Sequence, residues 1–288
     1  MLLVEPEWLS ARLNDKSVRI FDCTTHMIAQ PVGPSKIESG WPEFSAEHIP
    51  GSQHLDMVQD LSDPDAPYPF GMLTPIQFQA LMRRFGVKAT DHIVLYGRSA
   101  LTTITRAWLV FYVNGHQKVS ILNGGFKGWS DAGYPVAATD TATDTEVEPT
   151  DYLVATQRPE AITDIHAVRE CVNEQTHQLI NALSPEQFKG TGGANYGRVG
   201  RIPNSSNLPA RHLFDLKTQR FKPIEEIRQQ WKAAGLEPSD QTIHYCGGGI
   251  AASTTAFVQT LLGYDNWAVY DHSLLEWCHQ SDTPMVTD

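Results

Sequence analysis

No stretch of this 288-residue chain approaches the roughly 20 consecutive apolar residues that a membrane-crossing helix needs, so no membrane partner is expected. Cysteine is scarce. The four, Cys23, Cys171, Cys246 and Cys278, have no CxxC or other metal-ligand spacing and are too few for a disulfide framework at this length, so reduced thiols and no bound metal are expected. Residues 1–9 lack the basic start, the apolar segment and the small-residue cleavage site of a secretory signal, which points to a cytoplasmic location. Cations are outnumbered, 22 Lys and Arg against 33 Asp and Glu, for a formal charge of −11. That balance disfavours nucleic acid or an anionic membrane as partner and leaves any anion pocket to a few arginines.

What stands out instead is Ile243-His244-Tyr245-Cys246-Gly247-Gly248-Gly249-Ile250-Ala251-Ala252-Ser253. A short strand pattern runs into a cysteine, three glycines and a helix-like stretch. Residues without a Cβ accept positive φ and close approach, so this backbone can bend around whatever Cys246 carries. The first N–H groups of a helix have no intrahelical acceptor and sit at the positive end of its dipole, which favours a thiolate. The run has neither the GKS/T ending of a phosphate loop nor the GxGxxG spacing of a dinucleotide site.

The chain also repeats itself. Leu73-Thr74-Pro75-Ile76-Gln77-Phe78 is answered by Phe221-Lys222-Pro223-Ile224-Glu225-Glu226, His92-Ile93-Val94-Leu95-Tyr96 by Gln241-Thr242-Ile243-His244-Tyr245, and 121–129 by 269–277. Self-similarity of this kind implies two tandem copies of one unit. Expected strands at 18–22, 93–96, 119–122 and 178–181 alternate with expected helices at 74–85, 105–114 and 159–173, the α/β pattern of a mostly parallel sheet with helices on both faces. The expected divisions are a first domain at 1–136, a polar linker at 137–150 and a second domain at 151–288. Ligands of such sheets bind beyond the carboxyl ends of the strands, where Cys246 falls.

The cysteine loop, the strand before it and Val269-Tyr270-Asp271-His272-Ser273 with Trp277 resemble the active half of a tandem-domain rhodanese-type sulfurtransferase. The resemblance covers the whole chain and implies two rhodanese-like domains, the first without an active cysteine. It implies a Cys246 persulfide that moves sulfane sulfur from a small donor anion, thiosulfate or 3-mercaptopyruvate, to a thiol or cyanide acceptor, with no metal or organic cofactor. The backbone of Gly247, Gly248, Gly249, Ile250 and Ala251 would cradle the charged sulfur. Departures from the family pattern are Gly248 where mercaptopyruvate enzymes place Ser, Asn181-Ala182-Leu183 in place of Asp-x-Arg, and Gln187 in place of an arginine. His48-Ile49-Pro50-Gly51 is intact in the first copy but reads Arg201-Ile202-Pro203-Asn204 in the second. A non-catalytic binding or sulfur-relay module is the alternative. A Cys-x5-Arg phosphatase lacks its arginine here, because Ala252 holds that position.

Arg198 and Arg201, in or beside the glycine-rich stretch 190–200, are the candidates for holding the donor, since a guanidinium fork suits carboxylate or sulfonate oxygens. Arg211 and His212 are expected at the surface. Asp271 is expected to cap a helix and His244 to be a core histidine; Arg98 and Asp56 are candidates for reaching across the cleft from the first copy. Aligned on Tyr96 and Tyr245, Gly97 replaces the cysteine in that copy.

Overall fold

The two copies fold into two five-stranded, all-parallel sheets of one topology. In the computed structural model, which describes residues 1–28, 30, 35–98, 101–139, 149–153 and 156–288, the first sheet runs Leu3–Val4, Val119–Leu122, His92–Tyr96, Val18–Asp22, Ser52–His54 across its width. The second runs Ile162–Thr163, Trp267–Tyr270, Thr242–Tyr245, Gln178–Asn181, Ser205–Asn207. Each strand thus has its counterpart at the same place in the other sheet.

Strand residues alternate between two faces, so each sheet feeds two cores. Phe21, Ile93, Leu95 and Ile121 join Ile180 and Val269 in one core shared by both copies. Ile20, Val94, Tyr96 and Leu122 enter a smaller core on the far face of the first sheet, and Leu179, Ile243, Tyr245 and Tyr270 enter its equivalent in the second. Between the sheets lie two buried helices, Leu101–Val113 and Ile250–Leu261, apolar on nearly every side as fully enclosed helices are. They touch through a knot of hydroxyls, with Thr105 Oγ1 2.9 Å from Ser253 Oγ and 2.8 Å from Thr254 Oγ1.

A matched pair of turns confirms the repeat. Tyr96 Oη accepts from Ile49 N–H at 3.2 Å and lies 2.9 Å from Ser52 Oγ. In the second copy Tyr245 Oη accepts from Ile202 N–H at 3.1 Å and donates to Ser205 Oγ at 2.8 Å. The fourth residue of each turn is left-handed, Gly51 at φ 76° and Asn204 at φ 62°. Asn is among the few residues that tolerate this region, which explains the changed second signature.

Two expected helices are corrected. The helix expected at 105–114 begins at Leu101. The helix expected at 159–173 is a 3-10 turn Pro159–Ala161, the edge strand Ile162–Thr163 and only then a helix Ile165–Glu174, because Asp164 caps the N–H groups of His166 and Ala167. At the expected start of the second domain, the chain still touches the first copy. Thr150 Oγ1 donates to Val87 O at 2.5 Å, Tyr152 stacks on His116, and Arg158 N–H donates to Val113 O, all in the first copy. Of the expected linker, Ala137 pairs with His48 and Thr139 with Ser45 of the first copy, and 140–148 lie outside the described residues.

Candidate active site

Cys246 ends the strand Thr242–Tyr245, and Gly249, left-handed at φ 78°, caps the helix Ile250–Leu261. The loop between them is fastened from outside. Cys246 N–H donates to Ser273 Oγ at 3.1 Å, its carbonyl accepts from Leu274 N–H at 3.2 Å, and Gly247 O accepts from Leu275 N–H at 2.8 Å. Among the described residues no acceptor meets the N–H groups of Gly247, Gly248, Gly249, Ile250 or Ala251. These five N–H groups follow the cysteine at the start of a helix, where an anion is favoured in general.

Each glycine leaves space that a neighbour occupies. A Cβ on Gly247 would fall inside the Tyr196 ring, one on Gly248 would stand 2.8 Å from Leu275 Cδ1, and one on Gly249 2.5 Å from Asp271 O and 3.0 Å from an Arg106 nitrogen. The last two contacts show what lies beneath the loop. Arg106, wholly buried, pairs with Asp271 and donates to Phe70 O, while the other Asp271 oxygen accepts from Met72 N–H at 2.8 Å. Asp271 is therefore an interdomain ion pair rather than the expected helix cap.

The sulfur faces a pocket of about 80 Å³ at the seam of the two copies. The first copy contributes Met27, Ser35 and Phe70, and the second Leu183, Tyr196, Ile250, Ala251 and Leu275 around the cysteine and its glycines. Burial, with the neighbouring Cys246 charge, pushes the Tyr196 phenol up, so it stays a neutral hydroxyl. Burial also pushes the Cys23, Cys171 and Cys278 thiols up; at Cys23, the carboxylates of Asp22 and Asp60 add to the effect. Those three are poor nucleophiles.

The structure brings Cys246, Gly247, Gly248, Ile250 and Ala251 to this pocket, with Gly249 just behind it. It does not bring the two arginines. The Arg198 guanidinium donates to the carbonyls of Trp277, Cys278, Gln280 and Thr283 and to Thr283 Oγ1, at 2.5–3.2 Å, and so ties a neighbouring loop. Arg201 pairs with Asp288 at 2.8 Å, donates to Phe188 O and lies over the Phe188 ring. Gln187 belongs to a capping box with Ser184 and donates to Ala194 O at 2.9 Å.

The first-copy candidates stay at home. Arg98 stacks on Phe126 and donates to Glu47 O, and Asp56 accepts from Val58 and Gln59 N–H. Arg211 and His212 are exposed, as expected. His244, also as expected, is buried, bonded to Thr242, Thr255 and Gln259, and pushed down to about 3 by burial. Among the described residues no three His, Cys, Asp or Glu side chains are close enough to hold a metal.

Ser273 and Arg106 are site residues that sequence reasoning missed. Each left a trace: Ser273 matches Gly125 in the repeat, both left-handed, and Arg106 is the single charge in Leu101–Val113. At Gly97, which accepts from Phe126 N–H as Cys246 does from Leu274 N–H, a Cβ would collide with Ile104. A cysteine there would require the Ile104 side chain to shift.

Comparison with known proteins agrees with this geometry. A rhodanese-like domain model matches residues 5–132 and 165–280. The chain is 28% identical over 286 residues to a thiosulfate sulfurtransferase of Gallus gallus, covering 97% of this chain and 94% of that one. It is also 28% identical over 287 residues to a 3-mercaptopyruvate sulfurtransferase of Escherichia coli K12, covering 98% and 96%. The solved structure of SseA from Escherichia coli, a 3-mercaptopyruvate sulfotransferase, superposes with a TM-score of 0.82 at 26% identity over 95% of this chain and 98% of that one. With two matched domains that together span most of its length, the chain belongs to the rhodanese-like domain family and carries that domain in tandem.

Proposed function

We propose that this protein is a sulfurtransferase that carries a sulfane sulfur on Cys246. The carrying observation is a cysteine at the mouth of an interdomain pocket with five uncommitted main-chain N–H groups beside it. With thiosulfate, of the kind its relatives are named for, the Cys246 thiolate attacks the outer sulfur. The sulfur–sulfur bond breaks, its electron pair leaves with sulfite, and a Cys246 persulfide anion remains. The loop N–H groups hold that charge as it forms. Cyanide or an acceptor thiolate then takes the outer sulfur and returns the thiolate. Gly249 and Ile250 supply the turn and the helix start, and the Arg106–Asp271 pair underneath holds the loop to the first domain.

We place the protein in the cytoplasm, with small sulfur compounds as its partners and no nucleic acid. Among the described residues no helix is long and apolar enough to cross a membrane. Incubation with thiosulfate or 3-mercaptopyruvate should add the mass of one sulfur to Cys246 and, with cyanide, release thiocyanate. Cys246→Ser should lose both, and retained turnover in that variant refutes the proposal. The uncharged pocket walls favour one alternative, a relay module that loads sulfur without turning over these donors; rapid turnover on either excludes it.

A further inference from the structure

Among the described residues that line the Cys246 pocket, no cationic side chain is present to pair with an anion. Its described walls hold Met27, Phe70, Leu183, Ile250 and Leu275, the Tyr196 ring, and no charged side chain. Every lysine and arginine of the chain lies among the described residues, so none is hidden from view. Three guanidinium groups of the second copy and the seam are committed elsewhere: Arg198 to carbonyls, Arg201 to Asp288, Arg106 to Asp271. A donor therefore meets the loop amides at the sulfur being transferred, the Ser35 and Tyr196 hydroxyls as uncharged polar groups, and mostly apolar side chains otherwise. The carboxylate of 3-mercaptopyruvate or the outer oxygens of thiosulfate would lose water against that surface and gain no cationic partner.

We propose that the preferred donor of Cys246 is an organic sulfane-sulfur compound whose leaving group carries an apolar, ring-sized substituent. This rests on the sulfur-accepting role of Cys246 proposed above. The pocket, about 80 Å³, is smaller than the roughly 150 Å³ apolar cavities that enclose benzene. A ring would thus enter only in part, among lining residues that include Phe70, Leu275, Tyr196 and Met27, the last 39% exposed. With an arenethiosulfonate, R–SO2–S⁻, the Cys246 thiolate attacks the terminal sulfur, the bond from sulfonyl sulfur to terminal sulfur breaks, and the pair leaves as the sulfinate R–SO2⁻. One persulfide anion forms for each thiolate consumed, so charge and electrons balance without a further reagent.

The test compares benzenethiosulfonate, methanethiosulfonate and thiosulfate on the full-length protein. Sulfur gain on Cys246 is read by intact mass. Turnover is read as kcat/KM with one acceptor, each value divided by that donor's rate with a simple thiol in solution to remove intrinsic reactivity. The expected result is a corrected preference of at least tenfold for the benzene over the methane compound. Phe70→Ala and Met27→Ala, both at partly exposed sites, should each bring that ratio toward one by lowering the corrected rate of the benzene compound more than that of the methane compound. Phe70→Arg should raise turnover of thiosulfate about tenfold. Equal corrected rates for the two thiosulfonates, or a ratio untouched by both alanine variants, overturns the inference while sulfur gain on Cys246 upholds the sulfurtransferase proposal. No sulfur on Cys246 from any donor defeats both.

Discussion

Replacing Arg106 by Met tests whether the Cys246 loop is held by charge across the domain seam. The guanidinium is 0% exposed and the Asp271 carboxylate 6%, so its removal leaves a buried carboxylate whose remaining partner is Met72 N–H. Breaking a buried pair from one side typically costs about 3–5 kcal/mol, and the surviving N–H places this case near 3. Arg106→Met with Asp271→Asn removes both charges and should cost clearly less than the sum of the single changes, with a coupling of at least about 1 kcal/mol. Urea unfolding followed by tryptophan fluorescence gives the four stabilities. The rate of Cys246 alkylation by iodoacetamide reports on the loop itself and should change in Arg106→Met more than in the double variant. A loss under about 1 kcal/mol for Arg106→Met, or strictly additive single changes, refutes the clamp.

Gly249→Ala should destabilise by more than Gly263→Ala. Both glycines are left-handed, costing a side chain about 1–2 kcal/mol, but Gly263 faces open space whereas a Cβ on Gly249 meets Asp271 O. Equal urea midpoints would remove that distinction. His244 makes stability depend on acid: the unfolded chain binds a proton near 6.5, whereas the folded form resists until about 3. Stability is therefore lost as pH falls below 6.5, at up to about 1.4 kcal/mol per pH unit from this group, reaching roughly 2 kcal/mol by pH 5. His244→Gln should flatten the difference between pH 7 and pH 5 by that amount, and an unchanged slope contradicts it. Arg198→Lys should lower stability by about 1.5–3 kcal/mol, as charge-assisted bonds to carbonyls are lost, and leave the donor KM unchanged. A raised KM at wild-type stability would restore Arg198 to the donor.

The loop at Cys246 was legible because its signal is local: a β-branched strand, a cysteine, residues without Cβ, then a helix pattern. The tandem organisation was legible because the two copies keep the same turn chemistry, down to Tyr96 and Tyr245. The roles of Arg198 and Arg201 were not legible, because a guanidinium in a glycine-rich stretch looks alike whether it faces a ligand or the carbonyls of Trp277 and Thr283, far away in sequence. The pocket walls escaped for the same reason: Met27 and Phe70 reach the sulfur only after the copies have packed together. The short edge strands Leu3–Val4 and Ile162–Thr163 were also missed, since two residues carry no periodicity.

The core common to both sheets has a consequence for how the chain can be divided. Trp108 of the first copy lies edge-on to Phe257 of the second at 4.9 Å, and Tyr112 lies 5.2 Å from Trp267. Severing the chain between the copies would turn these rings outward on both halves and strip Phe70 and Met27 from the rim above the sulfur. The copy that lacks the loop cysteine is thus no spare duplicate: it is the mould against which the Cys246 half takes its shape, and that half expressed alone should come out as a sticky, poorly ordered fragment.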